Sequence, residues 1–286
     1  MEYIIDKEYE NVRLDRYLRK KFPDLALTEI FKGIRVGKIK VNGKKSKENY
    51  RLQVADVVKV LFNVQEKKEE IMNVDSCEMD IIKNSIVYED ENILIFNKKE
   101  NMVMHKGSGH EYGISEMIKG YLQNPNFNFV NRIDKSTSGL VIGAKNLVVA
   151  RELSEEIKER KVDKKYYIVV DGKINKKEFV IKSYLKKLED RVVELSSYED
   201  GAKESISRFK VLKVGKNRTL LEGTLGSGRT HQLRVQLSSM GHPIVGDTRY
   251  GKSRAKFMYL FSFYVNIEKY NIEIELPLPK AYSDVL

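Results

Sequence analysis

The chain contains one cysteine, Cys77, among 286 residues. A lone thiol cannot form an intramolecular disulfide, and it leaves no thiolate cluster for a structural zinc. Histidine is nearly as scarce. His105, His110, His231 and His242 fall into no H-E-x-x-H or paired spacing typical of zinc, so no metal is expected. No stretch approaches eighteen uninterrupted apolar residues, and no amphipathic anchor or lipidation signal is present, so no membrane partner is expected. The opening "MEYIIDKEYE" has neither the basic n-region nor the apolar h-region of a signal peptide, and a cytoplasmic protein is expected. A G-x-S-x-G elbow and a cysteine nucleophile are missing too, which removes the parts of serine and cysteine hydrolysis.

Two stretches imitate nucleotide sites without their physics. "GDTRYGKS" (246–253) carries the letters of a P-loop, but phosphate binding there needs a strand before the loop and a helix after it. The residues that follow read as strands, only 33 remain after Ser253, and Asp247, Arg249 and Tyr250 fill the loop with bulk and charge. "GSGRTH" (226–231) begins like a dinucleotide fingerprint but has no third glycine in register.

What the chain has in excess is positive charge. Lys and Arg number 52 against 41 Asp and Glu, a net +11. That balance indicates an anionic partner, and nucleic acid is the default, because Lys and Arg replace counterions condensed on phosphates. Hydrophobic residues at 41% suffice for a packed core, and the length suits one large core with a small satellite domain.

Residues 1–62 read as a compact basic module with fifteen Lys and Arg against nine Asp and Glu. "RLDRYLRKKF" sets Leu14, Leu18 and Phe22 on one helical stripe. A second helix is expected from Thr28, a good N-cap, to Gly37, and "KIKVNGKK" reads as a strand turning into a hairpin at Asn42-Gly43. Lys32, Arg35, Lys38, Lys40, Lys44 and Lys45 gather around that helix and turn, an expected RNA or DNA contact. Residues 63–79 are polar, lack sustained periodicity and read as a linker.

From residue 80 strands dominate. "SIVYEDENILIFNKK" is strand, turn, strand, and "NLVVARELSEEIKER" is a helix capped by Asn146. Strands follow at "KYYIVVDG", "RVVELSS", "SISRFKVLKV" and "RTLLEGTL". A helix is expected over "RTHQLRVQLSSMG", and the C-terminal "FMYLFSFYVNIEKYNIEIELP" alternates as antiparallel strands do. The mixed order predicts an α+β fold with a mixed, mainly antiparallel sheet in residues 80–286.

"NRIDKSTSG" (131–139) poses the functional question. By local residues alone Asp134 is a turn residue whose carboxylate bonds nearby backbone N–H groups. Four separated stretches, however, match one family. "NRIDKSTSG" resembles the H-R-L-D-x-x-T-S-G signature of the RluA-type pseudouridine synthases. "NKKENMVMH" (97–105) is similar to their N-K-P-x-G-x-x-V-H, and "KKYYIVVDG" (164–172) to K-x-Y-x-A-x-V-x-G. "GRTHQLRVQLSSMGHPIVGDTRYG" (228–251) resembles G-R-T-H-Q-I-R-V-H-L-A-x-x-G-H-P-I-x-G-D-x-x-Y-G, which also absorbs the false P-loop. The N-terminal module resembles the small αL RNA-binding domain shared with a ribosomal small-subunit protein. Asn131 departs from the pattern's His, Lys99 from its Pro, Asn101 from its Gly and Gln236 from its second His.

The resemblance implies an RNA pseudouridine synthase that needs no cofactor, since the isomerisation involves no redox change or energy input. It implies large-subunit ribosomal RNA as the favoured substrate, with tRNA possible, and a monomer is expected. Asp134 is implied as the nucleophile, following the covalent logic of a retaining glycosidase. Burial penalises a charged carboxylate, so a nearby cation is required, and the resemblance implies Arg229. Tyr166 is implied to stack on the uracil near C5, while Tyr167 faces the other side of its strand. Arg132 is implied beside a flipped-out uridine, with His105, His231, Gln232 and Arg234 supporting the pocket or substrate. A non-catalytic RNA-binding or ribosome assembly factor is the rival that keeps the fold.

Overall fold

The computed structural model describes residues 1–62, 71–106, 112–189 and 191–286. In the N-terminal unit, α1 (Leu14–Lys21) buries Leu14, Tyr17 and Leu18, as its stripe requires, and Phe22 closes the same core. α2 (Leu27–Arg35) starts two residues earlier than its threonine suggested. Ala26 is the N-cap residue and donates its N–H to the Glu29 carboxylate (3.3 Å), which leaves Thr28 inside the first turn. The two helices pack on an antiparallel sheet of order β1-β3-β2, formed by β1 (Glu2–Ile4), β2 (Ile39–Val41) and β3 (Val57–Val60). Asn42 (φ 50°) and Gly43 (φ 75°) make the tight turn expected of Asn-Gly. The expected hairpin nevertheless stops at one bridge, Val41 to Lys44. The Asn42 side chain instead donates to Asp56 (2.7 Å) and accepts the Val57 N–H (2.8 Å), which ties β2 to β3.

Residues 63–70 of the expected linker, and His110, lie outside the described residues. The linker's last residues are helical, because Asp75 and Glu78 cap each other's backbone N–H groups and start α3 (Ser76–Ser85). The chain continues through β4 (Ile86–Glu89), β5 (Ile93–Lys98), α4 (Ile114–Leu122), β6 (Asn128–Phe129), β7 (Ser138–Ala144) and α5 (Leu147–Lys158). Then come β8 (Val162–Asp171), β9 (Glu178–Lys187), β10 (Val192–Leu195), β11 (Lys203–Val214) and β12 (Arg218–Leu225). α6 (Gln232–Ser239), β13 (Leu260–Ile267), β14 (Ile272–Glu275) and α7 (Lys280–Asp284) complete it.

Eleven strands form one sheet in the order β10-β9-β11-β12-β8-β13-β7-β5-β4, with β14 on β13 and β6 on β7. Every pair is antiparallel except β13 with β7. This is an α+β fold with a small α/β unit in front. The units touch through Asn126, which accepts from Lys20 (2.8 Å) and donates to Glu8 (2.7 Å). Among the described residues no helix is long and apolar enough to cross a membrane.

Register places the rest. Tyr166 of β8 is opposite Ser262 of β13, and Ser262 is opposite Gly139 of β7, so the three form one row across adjacent strands. The row is tight: a Cβ on Gly139 would stand 2.2 Å from the Ser262 carbonyl oxygen, and Gly139 has φ 108°. α6 lies over this region, with Leu233 and Leu237 packed among Tyr166, Ile168, Ile244 and Leu260.

Candidate active site

Asp134 sits in the turn that leads into β7, where the Thr137 N–H bonds back to its carbonyl (3.0 Å). The backbone therefore behaves as a local turn, but the side chain does not. Its Oδ2 accepts from Arg234 Nη1 at 2.9 Å, one hundred residues along the chain, and His231 Nε2 stands 3.6 Å from the same oxygen. The side chain is 28% exposed, so the carboxylate is open on one side.

The cation on Asp134 is thus Arg234 and not Arg229. The expectation assumed one helix from Arg229 onward, whereas α6 starts only at Gln232. Gln232 is the cause. It is 2% exposed and accepts from the Arg229 N–H (3.1 Å) and the Ser227 hydroxyl (2.9 Å). Its amide donates to the Ile206 carbonyl (3.0 Å) and the Ser207 hydroxyl (2.9 Å). These bonds hold residues 227–231 as a loop on β11 and fill the Gln232 side chain's capacity, which corrects its assignment as a substrate contact. Arg229 is exposed, and its Nε points at the Glu204 carbonyl (3.4 Å). His231 adopts φ 54°, a left-handed residue that turns the chain into α6 and aims its ring at Asp134.

Arg234 joins two carboxylates. Its Nε and Nη2 bond Asp247 at 2.8 and 2.9 Å, and Asp247 is 1% exposed. Burial alone would depress the guanidinium, but the bonds and charge of Asp247, then of Asp134, hold it above its ordinary value. Burial likewise favours the neutral acid at Asp247, yet Arg234 and the Arg249 and Tyr250 N–H groups keep its carboxyl below the usual range. The Tyr250 ring lies under the guanidinium, with its centroid 5.2 Å from Cζ. Its hydroxyl meets His231 Nδ1 at 2.8 Å and accepts the Val192 N–H at 3.1 Å. Burial lowers the His231 value further than Asp134 raises it, so the ring is neutral at neutral pH.

Tyr166 is 6% exposed and inside electrostatic reach of Asp134, and burial pushes its hydroxyl up to about 12. Tyr167 faces away, as strand alternation requires, with its ring stacked on Phe263 at 3.6 Å. Arg132 and His105 are exposed, and the Arg132 charge is felt at the imidazole.

Sequence reasoning assigned no role to Lys98, which is fully buried. Its ammonium donates to the carbonyls of Lys99 (3.0 Å), Met102 (3.1 Å) and Lys135 (3.0 Å), binding the loop after β5 to the Asp134 turn. Burial brings it down to about 8, and the nearby Asp134 charge partly opposes this. The legible signals were its place two residues past the apolar run "ILIF" and its match to the lysine of the N-K-P stretch. In the same loop Asn101 holds φ 66° where the family pattern has Gly, and asparagine tolerates that conformation. Asp247 and Tyr250 were also passed over, although they were quoted within a motif. Among the described residues no three His, Cys, Asp or Glu side chains gather as a metal site.

A family model described as RNA pseudouridylate synthase matches residues 92–239, and one described as S4 domain matches residues 12–58. The chain is 33% identical to "Ribosomal large subunit pseudouridine synthase C" of Buchnera aphidicola, over 99% of this chain and 95% of that protein. It is also 33% identical to the protein of the same name from Vibrio parahaemolyticus, over 87% and 80%. A solved structure, "Human RNA Pseudouridylate Synthase Domain Containing 1", aligns with a TM-score of 0.59 at 28% identity, covering 68% of this chain and 83% of that one. Matches of this extent over both units establish that the chain belongs to the RNA pseudouridylate synthase family, RluA type, and is a pseudouridine synthase with an S4 domain.

Proposed function

We propose that the enzyme isomerises uridines of large-subunit ribosomal RNA, with Asp134 as the nucleophile on a flipped-out nucleotide. One observation carries the reading: a half-open carboxylate is held from one side by a buried arginine, within electrostatic reach of a buried tyrosine. Asp134 attacks C1′, the N1–C1′ bond breaks, and the uracil leaves with the electron pair on N1. The base turns, C5 bonds to C1′ and displaces the carboxylate, the C5 proton is lost, and N1 takes up a proton. Atoms and charge balance with no co-reactant.

Tyr166 provides the ring against the uracil. With its hydroxyl at about 12 it is a phenol at neutral pH, so it takes the C5 proton only by passing its own proton on. Lys98 fixes the turn, and exposed Arg132 and His105 meet the flanking RNA. In the S4 domain Lys32, Arg35, Lys38, Lys44 and Lys45 are exposed and Lys40 is half-buried. None of the six pairs with a carboxylate among the described residues, which leaves their charge for phosphates. The relatives' names favour ribosomal RNA over tRNA. We place the enzyme in the cytoplasm as a monomer.

The test uses RNA carrying tritium at uracil C5, as large-subunit and tRNA transcripts in parallel. The wild-type enzyme releases label to water from the ribosomal transcript, and Asp134→Asn releases none. Release by the Asn variant at the normal rate overturns the mechanism, and release from tRNA alone overturns the substrate.

A further inference from the structure

The isomerisation as read above uses Asp134 and Tyr166, but it leaves unexplained a second carboxylate that is more deeply buried than the first. Asp247 is 1% exposed and engages four donors. Its Oδ2 takes Arg234 Nε, while its Oδ1 takes Arg234 Nη2 and the Arg249 and Tyr250 N–H groups at 2.9 and 3.1 Å. Two parallel bonds along the Nε–Nη2 edge fix a guanidinium in its own plane, and the Tyr250 ring supports one face. Only the Nη1 corner remains, and it meets Asp134 Oδ2.

His231 Nε2 approaches Oδ2 as well, and the Tyr250 hydroxyl governs which way its ring is protonated. The Val192 N–H already donates to that hydroxyl, so its proton is free to face His231 Nδ1 and leave the N–H at Nε2, toward Asp134. Arg234 Nη1 and the His231 ring thus both lie on the Oδ2 side of Asp134. Asp134 Oδ1 has no hydrogen-bond partner among the described residues.

We propose that Asp247 is a positioning residue for the isomerisation: by clamping Arg234 it directs Nη1 to Oδ2 of Asp134 and keeps Oδ1 bare as the attacking atom. The inference rests on Asp134 as the nucleophile. The arrangement fixes the direction of attack with a bond that does not touch the reacting atom.

The experiment is Asp247→Asn assayed by tritium release from C5-labelled RNA. The amide keeps one acceptor for the backbone N–H groups but turns an N–H toward the guanidinium, so Arg234 loses its clamp. Because misplacement by about 1 Å costs up to ~100-fold in rate, kcat is expected to fall ~10- to 100-fold with KM and RNA Kd within about twofold. A folded variant with wild-type kcat, or one whose loss lies in KM alone, overturns the proposal. Asp134→Asn is run alongside, and if it stays active the nucleophile assignment fails whatever Asp247→Asn does. A second measurement needs no folded Asp247 variant. In wild-type protein labelled with 15N-arginine, the Arg234 signals (identified by their absence in Arg234→Lys) are expected to show separate, slowly exchanging Nη groups. Freely rotating, averaged Nη signals overturn the clamp.

Discussion

Replacing Arg234 with methionine tests the buried charge arrangement most directly. Methionine keeps much of the aliphatic stem's volume and removes the guanidinium between Asp134 and Asp247. Asp134, 28% exposed, loses a partly screened pair worth at most about 1 kcal/mol. Asp247 is stranded in the interior with two backbone donors, and leaving one partner of a buried pair uncompensated costs ~3–5 kcal/mol. The sum is about 3–6 kcal/mol, which for a domain of this size lowers Tm by roughly 6–24 °C. Burial without a counterion favours the neutral acid, so the loss should be smaller at pH 5 than at pH 7. Adding Asp247→Asn removes the stranded charge and should recover ~2–3 kcal/mol, because substitutions in direct contact are not additive. Activity, measured by tritium release, should stay lost in both proteins. Urea unfolding at the two pH values reads the stability. A loss below about 1 kcal/mol for the single variant, or a double variant less stable than the single, refutes the reasoning.

Two other expectations concern residues near the same turn. Lys98 titrates at about 8 in the folded protein against 10.5 in the unfolded chain. Below pH 8 both states are protonated and the cost of the buried ammonium is fully present. Between about 8 and 10.5 only the unfolded chain binds the proton, so stability should rise with pH by up to ~3 kcal/mol. Urea midpoints at pH 7.5 and 10 check this, and a Lys98→Met variant that keeps the same slope would remove Lys98 as its source. For Gln232→Ala, loss of the bonds that hold the 227–231 loop should cost ~2 kcal/mol and lower kcat with RNA Kd unchanged. A variant that weakens RNA binding and leaves stability intact would restore Gln232 as a substrate contact.

Much of the architecture was legible from residue order. The Leu14, Leu18, Phe22 stripe became α1, and Asn146 caps α5 through the Val149 N–H at 2.9 Å. The alternation after residue 257 became β13 and β14. Elements with weaker patterns escaped notice: β9 alternates polar and apolar residues with lysines among them, and α4 opens on Gly113. The hairpin expected at Asn42-Gly43 failed for another reason, since the turn chemistry was right but the strand's partner came from residues 57–60.

Within the site, the motifs located the Asp134 turn, the Tyr166 strand and the segment that supplies the arginine. They could not choose between Arg229 and Arg234, which lie five positions apart in one motif. That choice depends on where α6 begins, and α6 begins where it does because Gln232 bonds to β11, a strand 25 residues earlier. The sequence by itself determined the positive charge, the α+β class, the lack of thiol chemistry and the few positions where a reactive carboxylate could stand. Only tertiary structure decided which cation reaches it, which of its oxygens stays bare and that a lysine lies buried beneath its turn. Those outcomes depend on bonds between segments tens of residues apart, and such bonds form only when strand register and burial bring the segments together.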